Sequence, residues 1–494
     1  MIRIPLLTLL LFLPLAGAVL LLPLKRHERL ARFIALGIGL AETLLACGAW
    51  LRQGAFPSVA PKGFFLFEDA PWIQMLGIRY TVGMDGISLL LVILTALVTV
   101  IAMLVSWRSI DKNVSLHYLL LLAMESGIMG VFLSLDLFLF YLFWELMLIP
   151  MFFLIGIWGH GRNLYSALKF FLYTLFGSLL MLLAIVGIYL IHGAQSGSYS
   201  FSLMALIGTH LSPSAGLWLY AAFLLAFAVK FPIVPLHTWL PDAHTDAPTA
   251  GSVILAGLLL KTGAYGLIRF GYPLFPEAAR TLTPLLIVLA VTGIIYASWI
   301  AFAQQDMKRL VAYSSIGHMG FVALGIAAWT PVALSGAVLQ MVNHGLTTTA
   351  LFALVGMLDE RAHTRQINAY GGLWGKVPLL SAFFLLFAMA SAGLPGLNNF
   401  VGEFLVLAGS FKVAPVAAVL AFIGVILPLV YTVRLVQEVL FQEERGALPM
   451  ADLVPRELLV LAFLALGDLY IGLHPAPLLA ILKTPVALLT GGAP

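Results

Sequence analysis

Charge is scarce in this chain. Only 10% of its 494 residues are Asp, Glu, Lys or Arg, against about 25% in an ordinary soluble domain. Hydrophobic residues make up 62%, and the mean hydropathy is +1.04. A soluble fold of this composition would have no water-compatible surface, so lipid must be the solvent for most of it. Cysteine is nearly absent: Cys47 stands alone. That excludes an internal disulfide and any Cys-x-x-Cys set for zinc or iron–sulfur ligation, and Cys47 reads as a small apolar helix residue. Nucleotide signatures are missing too. No G-x-x-x-x-G-K-[ST] loop or dinucleotide fingerprint occurs, GGLWGK at 371–376 fits neither, and no H-E-x-x-H pair is found. No cofactor or metal is therefore expected on the chain. The net charge of +4 is modest and singles out no partner beyond the bilayer; no nucleic acid is expected.

What the chain has is apolar runs. A spanning helix needs ~20 such residues, and runs between polar or Pro/Gly breaks give about fourteen helices. They lie near 4–24, 30–50, 83–107, 117–133, 135–158, 165–192, 215–240, 249–271, 281–303, 308–328, 331–358, 377–412, 414–440 and 456–478. The first run resembles a signal peptide, but its strong cationic cluster, Lys25, Arg26, Arg29 and Arg32, follows the apolar stretch rather than preceding it. It reads as a first spanning helix. Between 51 and 82, Pro57, Pro61, Gly63, Pro71 and Gly77 mark turns and a possible hairpin outside the membrane.

Positive charge sets the expected orientation. Alternate loops carry the 25–32 cluster, Arg108 and Lys112, Arg162, Lys308 and Arg309, then Arg361, Arg365 and Lys376, then Arg434, Arg445 and Arg456. The other side is sparser: Arg3, Arg52, Lys62, Arg79, Arg269, Arg280, Lys412 and Lys483. The first set should be cytoplasmic and both termini extracytoplasmic. A faint internal repeat links Asp136 in SLDLFLFYLFWEL to Asp306 in AQQDMKRLVAYSSIG. Each is followed by a helix with a polar stripe (Lys169, Tyr173, Thr174, Ser178; then Gln340, His344, Thr347, Thr348) and by a proline-broken helix at Pro232/Pro235 or Pro395. A displacement of about five helices would invert the second copy, a transporter pattern.

Charge inside lipid costs at least ~2.5–3.5 kcal/mol per group, so the helices that carry it are informative. Glu145, Lys230, Lys261, Glu403 and Glu125 fall within apolar runs. Each is either a structural ion pair, a residue snorkelling to water, or a working group. Lys261 lies about twelve residues from either helix end, or ~18 Å, which is a poor position for snorkelling; the same holds for Glu145. His237, His318 and His344 are relay candidates, because an imidazole exchanges a proton near neutral pH. The broken helices free backbone groups, which are tolerated only in protein or along a wet cavity, so water is expected beside Lys230 and Glu403. A lysine in a dry site tends to lose its proton and a nearby carboxylate restores it, so motion of Glu145 relative to Lys230 would drive transfer to Lys261, then through histidine and water toward Glu403.

The residues at 228–270, AVKFPIVPLHTWLPDAHTDAPTAGSVILAGLLLKTGAYGLIRF, closely resemble the signature of the antiporter-like subunits of respiratory complex I. FYLFWELMLIPMFFLIGIWG (140–159) and LPGLNNFVGEFLVLAGSF (394–411) resemble the same family. The resemblance covers essentially everything after about residue 80. Glu403, and Glu125 in MESGIMGVF, look like the M type, the mitochondrial subunit 4 group; L and N types usually place lysine at the position of Glu403.

That likeness implies an all-α polytopic fold of about fourteen helices, with two inverted five-helix repeats and broken seventh and twelfth helices. The expected division is 1–116 for a three-helix segment with its loop, 117–271 and 281–440 for the repeats, and 441–494 for the last helix. It implies transport by Glu145, Lys230, Lys261 and Glu403, with His318, His344, His237 and Glu125 as candidate relays. The energy would come from quinone reduction in other subunits, so the expected partners are L- and N-type neighbours and a redox peripheral arm in a bacterial-type inner membrane. Asp246 departs from the glutamate usual in the family, but keeps the charge. Two other readings stand beside this one: a subunit of a multi-chain cation/proton antiporter, and a membrane scaffold whose buried charges are only structural.

Overall fold

A computed structural model of the chain describes residues 5–51, 61, 63–445 and 450–491. Arg3, Arg52, Pro57 and Lys62, used above, lie outside them. Helices α1 (Leu6–Leu24) and α2 (Glu28–Leu51) precede an antiparallel hairpin, β1 (Leu66–Ile73) and β2 (Ile78–Met84). There follow α3 (Gly86–Ser109), α4 (Val114–Leu133), α5 (Leu137–Trp158), α6 (Asn163–Ser196), α7 (Pro213–Lys230), α8 (Trp239–Asp246), α9 (Thr249–Leu274) and α10 (Pro276–Ala303). The rest comprises α11 (Met307–Ala328), α12 (Pro331–Ala362), α13 (Pro378–Ser391), α14 (Asn398–Phe411), α15 (Pro415–Phe441), α16 (Pro455–Leu473) and α17 (Ala476–Thr490).

Among the described residues, twelve helices are individually long and apolar enough to span a bilayer, and thirteen if α16 and α17 form one bent span. The expectation of fourteen counts 377–412 as a broken twelfth helix, and the structure breaks it there into α13 and α14, neither of which is long enough to count alone. It also ran the last helix on to 478. Instead α16 stops at Leu473, and α17 leaves at 69° to it. Pro475 and Pro477 are the cause: proline cannot continue a helix, yet it suits the first turn of a new one.

The most apolar windows of α9 and α12 are 100% buried, whereas those of α2 and α15 are 28% and 33% buried. The helices richest in polar residues are therefore central, and the outer ones turn Leu, Val and Phe outward (Leu44, Val416, Phe422). The hairpin is tied to the bundle. Glu68 accepts from the backbone N–H groups of Leu7 and Thr8 at 2.8 and 3.0 Å, which meets two orphan donors at the start of α1 with a negative charge. Asp136 and Asp306, the two repeat markers, play the same local part. Asp136 caps α5 through Phe138 N and Leu139 N, and Asp306 caps α11 through Arg309 N.

Both expected breaks are present. α7 ends at Lys230, and Phe231 turns into an extended conformation. Pro232 and Pro235 supply no N–H, and the indole of Trp239 donates to Val229 O at 2.8 Å. At the second break Gly393 and Gly396 take positive φ (75° and 94°), which glycine adopts without a steric penalty. Asn399 Nδ2 then donates to Ala390 O at 3.0 Å and Asn343 Nδ2 to Asn398 O at 2.7 Å. Side chains thus meet backbone carbonyls at both breaks. Trp239→Phe leaves Val229 O buried without that donor. It should destabilise the detergent-solubilised protein by about 1–3 kcal/mol, read as a lower thermal midpoint; an unchanged midpoint would remove the indole from this account.

Candidate functional site

Six of the expected residues come from six helices: α5, the end of α7, α9, α11, α12 and α14. α9 crosses directly against the first break. A Cβ built on Gly263 would lie 2.7 Å from Phe231 Cβ and 2.8 Å from Phe227 O, so only glycine lets the two backbones approach this closely. That contact brings the turn carrying Lys261 beside the one carrying Lys230. π-helical turns at Leu255–Leu259 and Leu267–Gly271 flank the Lys261 turn, a local widening that is frequent at functional sites.

Four of the expected residues lie in a row, as two hydrogen-bonded pairs whose imidazole rings adjoin. Lys261 Nζ lies 2.7 Å from His344 Nδ1 and also donates to Ala256 O. The rings of His344 and His318 are 5.8 Å apart between centroids. His318 Nδ1 lies 2.8 Å from Glu403 Oε1, and its Nε2 lies 3.3 Å from Ser391 Oγ. Gln340 Nε2 donates to the same Glu403 oxygen at 3.2 Å. All of these side chains are buried.

Lys230 is held differently. Its Nζ has no hydrogen-bond partner among the described residues. It faces the rings of Trp144 (5.1 Å) and Phe170 (5.8 Å) instead, whose π-faces attract a cation. Its place at the end of α7 adds the negative pole of that helix. Glu145 follows Trp144 in α5 and is only half-buried, with Oε1 unpartnered. No hydrogen bond joins Glu145 to Lys230.

His237 and Glu125 do not join the row by hydrogen bonds. The His237 ring packs near Tyr296 and Tyr313, at 5.6 and 6.5 Å. Glu125 is buried with both oxygens unpartnered, as is Glu42 on α2. Glu42 was missed in the sequence although it gives the same signal as Glu145, a lone carboxylate in mid-run. Asp468 on α16 was missed as well. It is buried and bonded to Asn398 and Thr347.

Two residues counted as loop charges also move inward. Arg269 is 4% exposed and pairs with Asp85 at 2.5 Å. Lys308 is 2% exposed and donates to Ala247 O at 2.6 Å. Asp246 accepts from Ser166 Oγ at 2.6 Å.

A polytopic helical bundle, with amines, imidazoles and a carboxylate strung between two broken helices, defines an antiporter-like membrane subunit. Residues 134–427 match the family described as NADH:quinone oxidoreductase/Mrp antiporter, TM. The chain is 46% identical over 463 residues to NADH-quinone oxidoreductase subunit M of Pseudomonas aeruginosa, covering 92% of this chain and 91% of that one. Against subunit M of Escherichia coli K12 the identity is 43% over 483 residues, covering 95% and 94%. The fold superposes on a chain of respiratory complex I from Thermus thermophilus with a TM-score of 0.88 and 34% identity, covering 98% of this chain and 100% of that one. The Mrp complex from Dietzia sp. gives a TM-score of 0.87 at 20% identity, covering 98% and 97%, a likeness of fold alone. The chain belongs to the subunit M family of NADH-quinone oxidoreductase, and it is a multi-pass membrane protein.

Proposed function

We propose that this chain is the M-type proton-translocating subunit in the membrane arm of an NADH:quinone oxidoreductase, itself free of redox chemistry. The observation that supports this reading is the row Lys261–His344–His318–Glu403, two hydrogen-bonded pairs with adjoining rings, with Lys230 standing without a hydrogen-bond partner among the described residues. Such groups titrate together rather than singly. A proton held by Lys230 would be released to Lys261 when the Glu145 charge is neutralised or moved away. The imidazoles of His344 and His318 then hand it to Glu403, each ring accepting at one nitrogen and giving from the other. His237 and Glu125 are kept as candidate relays on side branches.

Quinone reduction in partner subunits drives the cycle, since outward transfer is opposed by ~2.3 kcal/mol per charge per 100 mV. The Lys/Arg-rich turns face the cytoplasm, and the termini face the other side of a bacterial-type inner membrane. The test is the intact complex in sealed vesicles, given NADH and a soluble quinone. Proton uptake that follows electron transfer supports the reading. Exchange of protons for an imposed Na⁺ gradient without NADH would replace it with the cation/proton antiporter.

A further inference from the structure

Beyond Glu403 the hydrogen bonds continue to a second buried acid. Gln340 Nε2, which donates to Glu403 Oε1, also lies 3.2 Å from Asn399 Oδ1. Asn399 Nδ2 lies 3.4 Å from Thr347 Oγ1, and that hydroxyl donates to Asp468 Oδ2 at 3.1 Å. Asn398 Nδ2 donates to Asp468 Oδ1 at 2.6 Å. The lattice therefore spans α12, α14 and α16, and its two ends are its only carboxyl groups.

Asp468 has 0% exposure, and its hydrogen-bond partners are all neutral. An ionised carboxylate so placed is stabilised only by dipoles, and a neutral one would need only a proton. A structural acceptor could be an amide at no such penalty. The helices packed against α16 are α3, α12, α13 and α14: α12 carries His344 in its middle and Asp359, Glu360 and Arg361 at its end, α14 carries Glu403, α3 carries Arg108 at its end, and α13 carries no Asp, Glu, His, Lys or Arg. Asp468 also lies five residues before the end of α16, whose Gly472 packs on Gly396 and Leu397 at the second break. It thus stands between the row and the face where α16 ends.

We infer that Asp468 is a further proton-transfer residue, taking the proton from Glu403 toward that face, and that the amide lattice positions the two carboxyls. This rests on the transport reading given above. The O–H bond of the Glu403 carboxyl breaks and one forms on the Asp468 carboxylate. Water along the second break carries the proton to the Thr347 hydroxyl, which passes its own proton to Asp468 Oδ2 and is reprotonated by that water. Amides do not conduct in this scheme.

The experiment compares Asp468→Asn, Asp468→Glu and Glu403→Gln in the assembled complex in vesicles. It reads protons moved per quinone reduced, together with the infrared carbonyl band of protonated carboxyls against pH. Asp468→Asn should assemble, lose most of its translocation and lose one band, and Asp468→Glu should restore transport with a shifted band. Parental translocation in Asp468→Asn while Glu403→Gln is deficient overturns the inference alone. Parental translocation in both removes the transport reading with it. If Asp468→Asn fails to assemble, Asp468→Glu decides, because a purely structural acceptor gives no titrating band to shift.

Discussion

Lys230→Met is expected to reduce redox-coupled proton translocation to background while leaving the amount of assembled chain unchanged or raised. The sign of the second effect is what makes the first interpretable. Most buried charges are dangerous to remove because a partner is left uncompensated. Lys230 has no hydrogen-bonded partner among the described residues and lies against Trp144 and Phe170. Methionine keeps the length of the side chain, packs well against aromatic rings, and removes an amine whose desolvation opposes folding. A scaffold would therefore tolerate the change fully. Normal proton uptake per quinone reduced in the Lys230→Met complex would show that Lys230 is not a carrier. A large drop in assembled chain would instead show that its ammonium is structural.

Asp85→Asn is expected to do the reverse, removing the folded chain rather than its transport. Asp85 caps α3 through Ser88 N at 2.9 Å and pairs with Arg269 at 2.5 Å, with side-chain exposures of 3% and 5%. Asparagine can still cap a helix. It cannot balance the guanidinium, which also donates through Nε to Tyr265 Oη at 3.1 Å. Leaving a buried partner unpaired costs about 3–5 kcal/mol, a large part of the ~5–15 kcal/mol that holds an ordinary fold together. Subunit content of purified membranes and the thermal midpoint measure it. Adding Arg269→Met should restore much of the loss, since the double replacement leaves no orphan charge. A single variant that is fully stable would mean that water or lipid reaches Arg269.

The contrast between these two sites shows what was legible beforehand. Apolar runs announced the helices because lipid demands length and offers no other partner for the backbone. Prolines announced the breaks because a missing N–H is a local property. Lys230, Lys261 and Glu403 stood out because charge in such runs is costly. Arg269 and Lys308 did not, because each lies near a run's end, where a solvated position is the simpler expectation. Asp468 lay as deep in the expected run 456–478 as Lys261 does in its own and gave the same signal; only the observed end of α16 at Leu473 places it near a terminus. Its partners Asn398 and Thr347 are distant in sequence and meet it only through the packing of α12, α14 and α16. The bend after Leu473 was hidden because Pro475 serves equally as a stop and as a start.

One feature of the row bears on leakage rather than on transport. From Lys261 to Glu403 the groups are bonded or in ring-to-ring reach, but the Lys230 ammonium is walled by aromatic carbon with no bonded neighbour. A hydrogen-bonded wire conducts in both directions, so wire along the whole row would let the stored gradient discharge through the protein. The unbonded stretch is the insulator. On the proposed route, against ~2.3 kcal/mol per charge per 100 mV, the aromatic gap at α5 and α7 would help the membrane hold its voltage between turnovers.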